Sequence, residues 1–337
     1  MSADGLQGGQ APGSAPSKGS GEPDAAVVVI GRNEGERLRA ALRAARRSCA
    51  RIVYVDSGST DGSVALAASE GAVVHELSAD RPFSAARGRN EGFEIACERW
   101  GVPFVQFVDG DSLLDADWLA TGTRFLRDNP KVGMLCGDNV EEFPDASVYN
   151  RLCEVEWTGP AGEVPSCGGN AMVRAEAFGG VGGYDGAVRA GEEPELSVRL
   201  RQAGYSVHRL KAPMTLHDAD LHRFGEWWRR MERAGLSYWQ VYQRHGDGPE
   251  AYHRTEIVRA VLWGGVLPGL ALLALLVFPP AAIIIAALYA AKLGRVAWRN
   301  RDAVRRPLEY AAFMLLGNVA EFIGIARAVA TAPRPKG

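Results

Sequence analysis

The sequence predicts an α/β domain, an open and mostly parallel sheet with helices on both faces, followed by C-terminal membrane helices. Three observations predict it. Short apolar runs recur along the first third of the chain, each ending in a polar turn and followed by apolar residues at helical spacing. One of them, Val105-Gln-Phe-Val, stops abruptly at Asp109-Gly110-Asp111, two carboxylates at a strand end, where sheets of this kind bind ligands. Near the other terminus, residues 260–291 carry no charge at all.

Taken in order, Ala25-Ala-Val-Val-Val-Ile30 reads as a fully buried parallel strand. Gly31-Arg-Asn33-Glu34 turns the chain, and Leu38, Ala41, Leu42 and Ala45 set a helical face. Arg51-Ile-Val-Tyr-Val55 is a second strand, leading into Asp56-Ser-Gly-Ser-Thr-Asp61. A third strand at 72–75 precedes a helix within 83–100, opened by Arg87, Arg89 and Asn90. The fourth strand runs over 104–108. After it Gly110 permits a tight turn into a helix over 112–126. Asn33, Asp56 and Asp109 therefore all fall at the carboxyl ends of strands.

With 337 residues the chain can bury one large core or two ordinary ones. Its net charge of -2 hides an asymmetry: from Glu256 onward ten basic residues face four acidic ones, a surplus of six. The basic end is also the apolar end, which points to a membrane surface and away from nucleic acid. Five cysteines, Cys49, Cys97, Cys136, Cys153 and Cys167, form no Cys-x-x-Cys pair and read as small buried hydrophobes. Residues 1–24, rich in Gly, Ser, Pro and Ala, read as a disordered tail.

Two hard oxygen ligands on so short a hinge suit Mg²⁺ or Mn²⁺, which keeps positions open for substrate phosphates. The common nucleotide fingerprints are missing: no Gly-x-Gly-x-x-Gly follows the first strand, and no Gly-Lys-Ser/Thr occurs. Asp56 either accepts a hydrogen bond from the imide N–H of a uracil-like base or caps its own turn. Arg89 either reaches phosphate oxygens or lies in a solvated first turn of helix.

Ile30-Gly-Arg-Asn33-Glu34, Val55-Asp56-Ser-Gly-Ser-Thr-Asp61-Gly, Ala86-Arg-Gly-Arg89-Asn90-Glu-Gly92, Val108-Asp109-Gly-Asp111 and Gly191-Glu-Glu193-Pro-Glu-Leu196 occur in that order. Together they resemble the family 2 glycosyltransferases of the GT-A fold, over about residues 25–245. The resemblance implies an inverting, metal-dependent transferase using a UDP- or GDP-linked sugar. It puts Asn33, Glu34 and Asp56 on the donor, Arg89 on its phosphates, Asp109 on its ribose or sugar side, and the metal on Asp111 with Asp109 and His217. Gly168-Gly169-Asn170 reads as a turn where backbone comes close to something, such as the sugar.

Inverting transfer needs a carboxylate opposite the leaving diphosphate. The family shows Glu-Asp where this chain has Glu192-Glu193, so Glu193 takes the place of the base, with Glu192 its rival. Glu192 and Glu195 also complement a helix dipole. His217 is either a further metal or diphosphate contact or structural. The aromatic and basic segment from Phe224 to Trp239 either lies at headgroup level or packs under the active site.

At the membrane end, one crossing takes about 20 residues and two take about 40. The uncharged stretch falls between, and Pro279-Pro280 divides it, predicting a hairpin over 257–298 with both ends facing the cytosol. A third segment, 308–326, carries Glu309, Gly317, Asn318, Glu321 and Gly324 on one side. It either crosses, as the resemblance favours, or lies along the surface. The expected protein is thus a multi-pass transferase of the cytoplasmic membrane, with its catalytic domain (25–245) facing the cytosol and a lipid-linked or glycan acceptor. The rival readings are a sugar nucleotidyltransferase and an inactive membrane scaffold.

Overall fold

The computed structural model describes residues 24–331. The tail expected over 1–24 lies outside the described residues, save Asp24. Strand and helix alternate as expected through β1 (Ala25–Gly31), α1 (Glu36–Arg46), β2 (Ile52–Asp56), α2 (Ser63–Ser69), β3 (Val73–Glu76), α3 (Ala85–Trp100) and β4 (Phe104–Asp109). These four strands are parallel neighbours in the order β3-β2-β1-β4. Side chains of β1 are buried on both faces, which explains its unbroken apolar run. The register pairs Gly31 with Asp56 and Ile30 with Asp109, so three strand ends meet on one edge of the sheet.

Beyond β4 come β5 (Ser112–Leu114), α4 (Trp118–Asp128), β6 (Val132–Glu141), α5 (Val148–Trp157), β7 (Gly162–Glu163), β8 (Ala171–Arg174), α6 (Ala175–Gly180), α7 (Glu192–Gln202), β9 (Ser206–His217) and α8 (Phe224–His245). Here one expectation is corrected. The helix expected over 112–126 begins only at Trp118. Ser112 and Leu114 are buried while Leu113 between them is less so, a period of two that serves a strand paired with β9. Beyond its first four parallel strands the sheet takes antiparallel pairings too: β8 runs antiparallel to β4 and β6, while β9 is parallel to β6. A short run such as β8, buried at its first three residues, carries no signal of its direction.

The first arm of the hairpin is α9 (Arg254–Ala260), a π-helical turn (Val261–Val266) and α10 (Leu267–Val277); the second is α11 (Pro279–Arg299). They are followed by α12 (Pro307–Thr331). Among the described residues three helices are long and apolar enough to cross a membrane: Arg254–Val277, Pro279–Arg299 and Pro307–Thr331. The polar side of α12 is buried, and that helix runs beside α8.

Of the two readings left open for the aromatic segment, α8 takes the second. Trp227 is buried against Tyr149 and Phe313, and Met231, Ala234 and Ser237 face a central cavity. Glycines let α8 and α12 meet backbone to backbone. A Cβ on Gly235 would stand 2.0 Å from the Glu321 carbonyl oxygen, and one on Gly324 equally close to that of Glu232. Gly235→Ala is therefore expected to cost about 1–3 kcal/mol by overpacking and to lower the melting temperature in detergent. Gly269→Ala, whose Cβ meets nothing within 4 Å, should leave that temperature unchanged.

Candidate active site

The edge where β1, β2 and β4 end is assembled by short turns. Gly110 N–H donates to the Ile30 carbonyl at 2.8 Å and Ser57 N–H to that of Gly31 at 3.0 Å, locking the three turns together. Asn33 adopts a left-handed φ of 57°, which asparagine tolerates, and its Oδ1 accepts from Thr60 N–H at 2.7 Å. Asn33 thereby braces two turns. Asp56 is 1 % exposed. Its Oδ1 accepts from the Tyr54 hydroxyl, and its Oδ2 accepts from the amides of Gly58 and Ser59. Asp56 thus caps its own turn, with β2 supplying the tyrosine two residues earlier.

Arg89 is 3 % exposed beneath the site, so it does not take the solvated-turn alternative left open for it. Its Nη2 donates to Asp109 Oδ1 at 2.9 Å, while Nη1 lies 3.2 Å from Glu193 Oε1 and 3.5 Å from Glu192 Oε1. Tyr184, buried alongside, offers its ring face to the guanidinium at 5.6 Å. Gly169 answers to the same cation. A Cβ there would stand 2.2 Å from Arg89 Nη2, so the close approach inferred from Gly168-Gly169 is to this side chain.

The two glutamates open α7, after Gly191 has turned the chain at φ 88°. Burial pushes the Glu193 carboxyl up to about 7, with Arg89 opposing the shift and Glu192 adding to it. A carboxylate so poised is suited to accepting a proton near neutral pH. Glu192, Glu193, Asp109, Gly169 and His217 all line one cavity of about 520 Å³, with the α8 face as its other wall.

His217 ends β9, where its pairing with Ser112 sets it beside Asp111. Its Nδ1 is 2.9 Å from Ser112 Oγ and 3.4 Å from Asp111 Oδ1. Burial raises the Asp111 carboxyl, Asp109 adding to the effect and His217 opposing it. Glu34 folds over Gly110, and burial raises it too, with Asp111 the next cause. Asn170 was legible only as one residue of a turn. It is 4 % exposed, takes the Asp109 N–H on its Oδ1 and donates through Nδ2 to Ser112 Oγ and Thr215 Oγ1. One amide thus ties the ends of β4, β5 and β9 together. An asparagine directly after paired glycines was the available signal.

A family model described as glycosyl transferase family 2 matches residues 26–178, and one described as glycosyl transferase family group 2 matches residues 104–298, more than half of the chain. The chain is a family 2 glycosyltransferase. This glycosyltransferase is 28% identical over 197 residues to the succinoglycan biosynthesis protein ExoA of Rhizobium meliloti (strain 1021), a match covering 54% of the chain and 59% of the relative. It thus spans about six tenths of that curated relative's length. The mannosyltransferase PcManGT from Pyrobaculum calidifontis, solved with GDP-Man and Mn²⁺, has a TM-score of 0.57 at 18% identity, covering 91% of this chain and 88% of that one. The likeness is one of fold, and the glycosyltransferase has the GT-A architecture.

Among the described residues no group of three or more His, Cys, Asp or Glu is arranged to hold a metal ion. The residues at the carboxylate hinge nevertheless fit one whose remaining ligands come from substrate. Asp111 Oδ1 is buried and accepts no hydrogen bond, with Asp109 two residues away and His217 at its side. Mg²⁺ is commonly held by one or two carboxylates together with substrate phosphates and water.

Proposed function

We propose that this glycosyltransferase is inverting and moves one sugar from a UDP- or GDP-linked donor to a lipid-linked or glycan acceptor at the cytosolic face of the cytoplasmic membrane. The observation that carries the reading is the bridge made by Arg89. One buried guanidinium holds Asp109, at the donor end of the sheet, and Glu193, on the wall of the cavity. An acceptor hydroxyl in that cavity meets Glu193 on one side and the donor's anomeric carbon on the other. Glu193 takes the hydroxyl proton as the oxygen attacks, and the nucleoside diphosphate leaves on the side of Asp109 and Asp111. Mg²⁺ or Mn²⁺, held by Asp111 and Asp109 together with substrate phosphates, would balance the charge of the leaving diphosphate. Asp56 and the Asn33-Glu34 turn hold the nucleoside, and Gly169 leaves Arg89 its room.

Three features support an acceptor met at a membrane: the apolar hairpin, its arginine-rich base and a cavity against α12 that adjoins the catalytic one. This second cavity, of about 280 Å³, has Tyr238, Arg259 and Glu321 in its lining and shares Glu156, Arg230, Met231 and Ala234 with the catalytic cavity. The likeness to a succinoglycan biosynthesis protein favours a growing polysaccharide intermediate as acceptor.

The test is turnover of UDP- and GDP-sugars by purified protein with Mg²⁺, Mn²⁺ or EDTA. Release of nucleoside diphosphate is expected, lost with EDTA and reduced at least a hundredfold in Asp111→Asn. Release of pyrophosphate would instead identify a nucleotidyltransferase. A protein that binds no sugar nucleotide and turns none over would be a scaffold.

A further inference from the structure

We propose that the C-terminal helices dip into one leaflet and return, anchoring the chain to the cytosolic face of the membrane without crossing it. The inference rests on the membrane association proposed above and concerns its depth. The two arms of the hairpin are pinned to each other midway along their length. Lys292 Nζ lies 3.7 Å from the centre of the Trp263 ring, and the Tyr289 hydroxyl donates to the Trp263 carbonyl. At that level α12 crosses the hairpin, Gly264 lying against the Asn318 carbonyl. One turn nearer the base, Arg259 pairs with Glu321 at 2.8 Å.

Charge therefore reaches up the hairpin to Lys292, beside Trp263, and residues 264–291 carry none. From Pro279 to Lys292 is 13 residues, about 20 Å at helical rise. The other arm measures nearly the same from Trp263 to Val277. A hydrocarbon core is about 30 Å thick. With Lys292 and Arg259 held at headgroup depth, the apex stops inside the core.

The apex has the chemistry to remain there. Val277-Phe278-Pro279-Pro280-Ala281 offers no polar side chain, and Leu276 and Phe278, 85% and 60% exposed, would enter water on the far side. A turn left in hydrocarbon must leave no N–H bare. Pro279 and Pro280 have none, Phe278 N–H donates to the Ala274 carbonyl, and Ala281 N–H donates to that of Phe278.

Helix α12 stays on the same side. Its Glu309 pairs with Arg151 on α5 and its Arg327 with Glu232 on α8, so both ends are tied to the catalytic domain. Crossing would break either the first or the second of these pairs, or carry its catalytic-domain partner through the bilayer. Leu308, Leu316 and Val329 are exposed for the lipid, and Arg295, Arg299, Arg301, Arg305 and Arg306 gather at the hairpin base for anionic headgroups.

Single reporter cysteines test this against a membrane-impermeant maleimide, with the unsubstituted chain as background. Phe278→Cys, Asp302→Cys and Thr331→Cys should all stay unlabelled from outside in spheroplasts. In inverted vesicles Asp302→Cys and Thr331→Cys should label, while Phe278→Cys labels only after detergent is added. Outside labelling of Phe278→Cys would show two crossings, and of Thr331→Cys a crossing by α12; either overturns the proposal. If alkaline carbonate strips the unsubstituted protein from membranes, membrane embedding itself fails, a result distinct from either labelling pattern.

Discussion

Glu193→Gln is expected to reduce kcat by about 10²–10⁴-fold, the usual worth of a positioned general base, with nucleotide-sugar affinity changed much less. Glutamine keeps the shape and a hydrogen bond but cannot take a proton. The pH profile carries the assignment further. A base must be ionised, so with burial holding the Glu193 carboxyl at about 7, kcat should fall on the acid side with a midpoint near 7. Below it the rate should drop tenfold per pH unit. Glu192 raises the Glu193 carboxyl by its charge, so Glu192→Gln should move that limb to lower pH while leaving the alkaline plateau largely intact. If Glu192→Gln instead removes activity and Glu193→Gln keeps it, the two roles are exchanged.

What the sequence disclosed, and what it withheld, follows the range of the interactions. Asp56, Asp109 and Asp111 were legible because an apolar run ending in a carboxylate is a local pattern, and the parallel register then brings such ends together. The 112–126 stretch misled because its first three residues form a strand only through β9, a partner some hundred positions away. The same pairing sets His217 beside Asp111, so neither fact was available locally. The burial of Arg89 was hidden for the same reason, since its three carboxylate partners come from β4 and α7. In the membrane segment composition gave the length of the apolar stretch. Its depth depends on Lys292, Trp263 and Asn318 meeting at one level, which is tertiary information.

Arg89→Met should be the most damaging substitution to the fold of the site. It strips from Asp109, Glu192 and Glu193 the cation that pairs with all three, of which the two glutamates are largely buried. Breaking a buried ion pair by removing one partner costs about 3–5 kcal/mol, and a fall in melting temperature of several degrees should report it. Because Arg89 lowers the Glu193 carboxyl, whatever activity survives should have its acid limb moved to higher pH, the opposite of Glu192→Gln. Adding Glu192→Gln to Arg89→Met should restore some of the stability, since one of the stranded charges is gone. Arg89→Lys separates charge from geometry. An ammonium keeps the positive charge, yet it cannot present one nitrogen to Asp109 and another to the α7 glutamates. The lysine variant should therefore fold nearly as well as the natural chain and still lose most of its kcat. If it instead keeps kcat and only raises the KM for the donor, Arg89 contacts the diphosphate directly, and the bridge from Asp109 to Glu193 is not what organises the reaction.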